Sequence, residues 1–90
     1  MKKTKQELNS LIGSKICQDK CVCKNYIESI EDAWEVIESL KPKIDLIIES
    51  FSDYYIVRIE EIKVCNKSAS KAICLAALEA VTGKVYKIKE

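Results

Sequence analysis

The stretch SASKAICLAALEAV, residues 68–81, is apolar on nearly every side of the helix that it spells. After its opening serines it holds two charges, Lys71 and Glu79; the rest is Ala, Leu, Ile, Val and Cys. A helix that is apolar on most sides must be covered on most sides. In a chain of 90 residues that requirement excludes most architectures. Alanines let such a helix lie close against a sheet. The remaining face, with Ala69, Ala72, Ala76 and Ala80, then needs either a second helix or another copy of the chain. The layered single domain is the first reading and a homodimer the second. Ser68 or Ser70 is expected to cap the helix, and Gly83 to end it in the left-handed region.

The other elements fall on either side of this helix. Thr4-Lys5-Gln6-Glu7 is a capping-box pattern, followed by Leu8, Leu11, Ile12 and Ile16 at helical spacing. Gly13 and Ser14 weaken that first helix locally. The irregular segment CQDKCVCKN comes next. A second helix is predicted after Ser29, with Glu31 and Asp32 in a first turn that favours acids. Its expected apolar face is Ile30, Ala33, Trp34, Ile37 and Leu40, and Pro42 stops it. The period then changes from 3.6 to 2, which predicts a β-hairpin around Ser52-Asp53. One hairpin face (Ile44, Leu46, Ile48, Tyr55, Val57, Ile59) is wholly apolar. The other mixes Ile47, Phe51 and Ile56 with Asp45, Glu49, Arg58 and Glu60. A helix or a partner subunit is expected to cover part of that mixed face. Ile62–Cys65 reads as a third short strand and Asn66-Lys67-Ser68 as a turn. Val85–Ile88 alternates weakly, as an edge strand or a frayed tail.

The expectation is therefore a single α+β domain over 1–90 with an antiparallel sheet, in the order α-α-β-β-(β)-α-(β). Hydrophobic residues are 48% and charged residues 32%, a globular balance. A domain this small is marginal alone, so a homo-oligomer is expected. The formal net charge is +1, which offers no global field for nucleic acid or an anionic membrane. Lys2, Lys3 and Lys5 read as a short solvated tail. No stretch approaches the ~18–20 apolar residues of a membrane span. The start, MKKTKQELNSLIGSKIC, lacks a continuous apolar core, so no signal peptide is expected. The expected location is the cytoplasm, where the five cysteines are thiols.

Chemical motifs are sparse. Cys17-x3-Cys21-x-Cys23, with Cys65 downstream, is the one arrangement that approaches a zinc site. With no histidine and no second C-x2-C pair, reduced thiols without metal are the preferred reading. Cys74, inside the apolar helix, reads as a small core residue. A nucleophilic triad lacks its usual base. With only two glycines there is no phosphate loop. No cofactor and no enzymatic activity are expected. The residues that suit a ligand are Lys24, Asn25 and Tyr26 in the loop before the second helix, and Tyr54 and Arg58 on the mixed sheet face. Tyrosine stacking with a neighbouring cation suits a planar, anionic molecule such as a nucleotide.

Three segments together resemble a family. ELNSLIGSKIC carries an E-L-x-x-L-I-x-x-K-I pattern at Glu7, Leu8, Leu11, Ile12, Lys15 and Ile16. Tyr26 is followed eight residues later by Trp34, within the run Ala33-Trp34-Glu35-Val36-Ile37-Glu38. Ala72, Ile73, Cys74, Ala76, Ala77 and Leu78 match an A-I-C-x-A-A-L helix. The combination resembles the phage ABA sandwich domain family of small phage and prophage proteins. The resemblance implies a helix–sheet–helix three-layer sandwich and a phage or prophage origin, and it supplies no activity. Two departures stand out. Ile27-Glu28-Ser29 replaces the family's polar Ser-Thr-Asp run, and Cys21 and Cys23 lie outside its pattern. Small phage proteins without catalytic residues often act by occupying something. The leading expectation is a non-enzymatic binding protein that antagonises host defence by sequestering a small anionic signal at an oligomer interface. The alternative is a structural or accessory module that binds a host protein and no small ligand.

Overall fold

Thr4 starts the first helix as the capping box demands: Glu7 N donates to Thr4 Oγ1 at 3.2 Å, and Thr4 N donates to Glu7 Oε1 at 3.1 Å. The computed structural model describes residues 2–17, 25–40 and 46–88. Helix α1 runs Lys5–Ile12 and passes at Gly13 into a π-helical turn, Gly13–Cys17, where the glycine and serine weaken the α-helical ladder. Leu8 and Ile12 are fully buried, with Leu11 and Ile16 packed beside them.

Helix α2 spans Ile30–Leu40, and Asp32 N donates to Ser29 Oγ at 3.4 Å. Pro42 lies outside the described residues. The buried face of α2 differs from the expected one. Ala33, Val36, Ile37 and Leu40 are buried, whereas Ile30 is 49% exposed and Trp34 52%. The helix is turned so that Val36 replaces Trp34 in the core.

Strands β2 (Leu46–Ser50), β3 (Tyr55–Ile59) and β4 (Ile62–Asn66) form an antiparallel sheet in the order β2-β3-β4. Its register sets Leu46, Ile59 and Ile62 in one row and Ile48, Val57 and Val64 in the next. That face is the apolar one expected from the alternation, apart from Ile44, which lies outside the described residues with Asp45. The Ser52-Asp53 turn closes with Phe51 N donating to the Tyr54 carbonyl at 2.9 Å. The second hairpin turns on Glu60-Glu61, with Glu60 at φ 55. A two-residue hairpin loop favours positive φ there, a conformation that disfavours glutamate and suits asparagine. Glu60→Asn is expected to stabilise the fold by up to about 1 kcal/mol, read as a higher thermal midpoint.

Helix α3, Ala69–Thr82, is capped by Ser68, whose Oγ accepts from Lys71 N at 3.4 Å. It ends at Gly83, at φ 73 in the left-handed region. The helix packs on β3 and β4 on one side and on α2, with α1 and the π-helical turn, on the other. Seven of its residues, Ser70, Ala72, Ile73, Cys74, Ala76, Ala77 and Leu78, are buried. Much of the apolar helix is thus covered within its own chain, while Val81 near its end stays exposed. The α+β class and antiparallel sheet agree with the sequence reading.

The N-terminal lysines are not a loose tail. Lys2–Lys3 form a short strand, β1, parallel to β5 at Lys87–Ile88, and this pair stands apart from the three-stranded sheet.

Candidate functional site

The short segment from Asn25 to Glu28 shows which sequence-predicted residues are occupied by the fold itself. Asn9 on α1 accepts at Oδ1 from Ile27 N at 3.0 Å and donates through Nδ2 to Asn25 Oδ1 at 3.0 Å. Asp32 on α2 accepts from Asn25 N at 3.0 Å. From α3, Ser70 Oγ donates to the Ile27 carbonyl at 2.8 Å and Cys74 Sγ to the Tyr26 carbonyl at 3.1 Å. Three helices hold this segment through polar groups, so its backbone can be buried without cost from missing partners. Tyr26 consequently sits in the core at 1% exposure, and its ring offers no surface for stacking. That corrects the expectation for Tyr26 as a ligand residue. Asn25 is exposed but engaged as described. Lys24 lies outside the described residues. Sequence reading did not foresee these contacts of Asn9, Asp32 and Ser70, because each meets a partner whose placement depends on the finished fold.

Tyr54 and Arg58 lie elsewhere, on the sheet face turned away from α3. The register places Ile47, Arg58 and Lys63 in one row of that face and Glu49, Ile56 and Cys65 in the next. Beyond them, Phe51 and Tyr54 stack across the hairpin end, with ring centroids 4.8 Å apart and planes at 14°. Ile47 is 57% exposed, and Phe51 and Tyr54 are exposed with it. Arg58 Nε pairs with Glu49 Oε1 at 3.2 Å. Both partners are well exposed, so the pair contributes little to stability and mainly orients the guanidinium. The face thus offers an aliphatic side chain, an aromatic pair and a guanidinium, with Lys63 beside them. No helix among the described residues covers it. Asn25 and Tyr26 belong to the segment held by the three helices, and Tyr54 and Arg58 to the outer face of the sheet.

The thiols are not gathered. Cys65 is exposed on the outer sheet face and Cys74 is buried in α3. Among the described residues no group of three or more His, Cys, Asp or Glu side chains could hold a metal ion. Cys21, Cys23 and the side chain of Cys17 lie outside what is described. Among the described residues no helix is long and apolar enough to cross a membrane.

Comparison with known proteins agrees with the architecture. The family model described as the phage ABA sandwich domain matches residues 1–78. No curated protein matches the chain at a significant level. Among solved structures, the crystal structure of a phage protein from Bacillus cereus ATCC 14579 is similar, with 26% sequence identity and a TM-score of 0.74. The likeness covers 94% of this chain and 93% of that one.

Proposed function

The chain belongs to the phage ABA sandwich domain family, and on that premise we propose that it is a small phage-encoded, non-enzymatic binding protein that works through the outer face of its sheet. The observation that carries this reading is the exposure of Ile47, Phe51 and Tyr54 together on the sheet face turned away from α3, beside Ile56, which is buried on that same face. Apolar and aromatic side chains clustered on one uncovered surface are what interfaces use, and aromatics and arginine supply most of the energy at their centres. Ile47, Phe51, Tyr54 and Arg58 are all exposed on it, which favours a macromolecular partner. Glu49 on that face is engaged by Arg58.

A second reading keeps a small ligand. Tyr54 and Arg58 share the face, and an exposed aromatic ring beside a guanidinium suits a nucleotide held between subunits of a homo-oligomer. Such an assembly would bring Lys24 or Asn25 of one copy towards Tyr54 and Arg58 of another. Sequestration of a defence signal is the role that this version would serve.

Native mass spectrometry of protein purified gently from expressing cells separates the two readings, since it reports subunit number and any retained molecule. The expected outcome is an associated species, with a protein partner or with a nucleotide-sized adduct. Tyr54→Ala and Arg58→Ala should each weaken it about tenfold or more. If both variants associate as the parent does, the outer sheet face is not the binding surface.

A further inference from the structure

A second exposed apolar surface lies on α2, away from the outer sheet face. Ile30 and Trp34 stand one turn apart on this helix, at 49% and 52% exposure. Together with Glu31 they line an open depression of about 390 Å³. Ile30 also borders a second, separate depression, with Glu28, Tyr55, Lys67 and Ala69. Apolar residues at i and i+4 on a helix surface are the ridge into which another helix packs.

Within α2 itself the charge has one sign. The segment Ile30–Leu40 contains Glu31, Asp32, Glu35 and Glu38 and no basic residue. Glu31 precedes Trp34 by three positions and Glu38 follows it by four, so both flank the indole on the helix surface. Both are exposed. An isologous contact between two copies would set these acids against themselves, which argues against a second copy here.

We propose that the Ile30–Trp34 ridge docks a cationic amphipathic helix of another protein, with an apolar side chain seated between Ile30 and Trp34 and Lys or Arg residues against Glu31 and Glu38. A cation over the exposed indole face adds a cation–π contact. This surface is separate from the outer sheet face and does not depend on what binds there.

Trp34 is the sole tryptophan, so its emission reports on the ridge directly. The probe is a designed amphipathic peptide of about 14 residues, leucine and lysine only, which is about four helical turns. Its control carries glutamate at every lysine position. Titration of the intact protein with the lysine peptide is expected to shift Trp34 emission to the blue and to weaken as salt is raised. The glutamate peptide should leave emission unchanged. Anisotropy of the labelled lysine peptide should show affinity lowered about tenfold or more by Glu31→Lys with Glu38→Lys, and likewise by Trp34→Ala. Because these side chains are exposed, the variants should keep the parent's thermal midpoint to within a few degrees.

Several results would overturn the proposal: unchanged emission at saturating peptide, equal binding of the glutamate peptide, or unaltered affinity in both variants. Concentration-dependent shielding of Trp34 without peptide, accompanied by a dimer mass, would assign the ridge to a second copy and equally overturn it.

Discussion

Tyr26→Ala is expected to destabilise the protein by about 3–5 kcal/mol, whereas Trp34→Ala should cost less than about 1 kcal/mol. Composition and size alone would order these two aromatics the other way. Tyr26 is 1% exposed, and its carbonyl accepts from Cys74 in the middle of α3. Removing the ring leaves a large void directly beneath the segment that α1, α2 and α3 hold by hydrogen bonds. That segment is tied by polar groups on three helices and cannot readily collapse into the space, which puts the cost at the upper end for large-to-small substitutions. The ring of Trp34 is half in solvent and leaves no cavity behind it. Urea unfolding followed by circular dichroism measures both, since Trp34→Ala removes the fluorescent reporter. A total stability in the usual range of about 5–15 kcal/mol makes the loss at Tyr26 large enough to populate the unfolded state in mild denaturant. Equal shifts in the two midpoints would show that the 25–28 segment is not the structural centre described above.

The contrast between Tyr26 and Trp34 also marks what the sequence can and cannot disclose. Local signals were legible. The Thr4–Glu7 capping box, the change of period after residue 43, the Ser68 cap and Gly83 each depend on residues within a few positions of one another. The α2 face was not legible to the same degree. Ile30, Ala33, Trp34, Val36, Ile37 and Leu40 occupy a wide arc at 100° per residue, wider than the part that is buried. Trp34 lies about 110° from the centre of the buried positions, and the choice of arc depends on where α3 crosses. The clamp on Asn25–Ile27 joins residues 7 to 48 positions apart, and no local pattern announces it. Glu60-Glu61 makes a tight turn without glycine or asparagine, so its signal was absent too. For the candidate site, alternation alone put Tyr54 and Arg58 on one sheet face. That this face is left open could not be read, because it follows from which side of the sheet receives α3.

On α3 itself, both removing and adding volume should be costly. Leu78→Ala is expected to lose about 2–5 kcal/mol and Ala76→Leu about 1–3 kcal/mol. Both positions are 0% exposed. Ser70 and Cys74, one turn apart, point at the Ile27 and Tyr26 carbonyls and so mark the side of α3 that faces the helices. Ala72 and Ala76 lie on roughly the opposite side of the wheel, the side left for the sheet. Small side chains there set how closely the helix approaches β3 and β4. A leucine at position 76 must push the sheet outward or adopt a strained rotamer, while the hydrogen bonds at Ser70 and Cys74 oppose movement the other way. Had one side of α3 been covered only by a partner subunit, the larger residue could be accommodated by loosening that association, and its cost would vary with protein concentration. Denaturation of Ala76→Leu at two protein concentrations a hundredfold apart therefore tests the arrangement. A concentration-independent loss supports burial within the chain, and a loss that grows on dilution would place a second copy against α3.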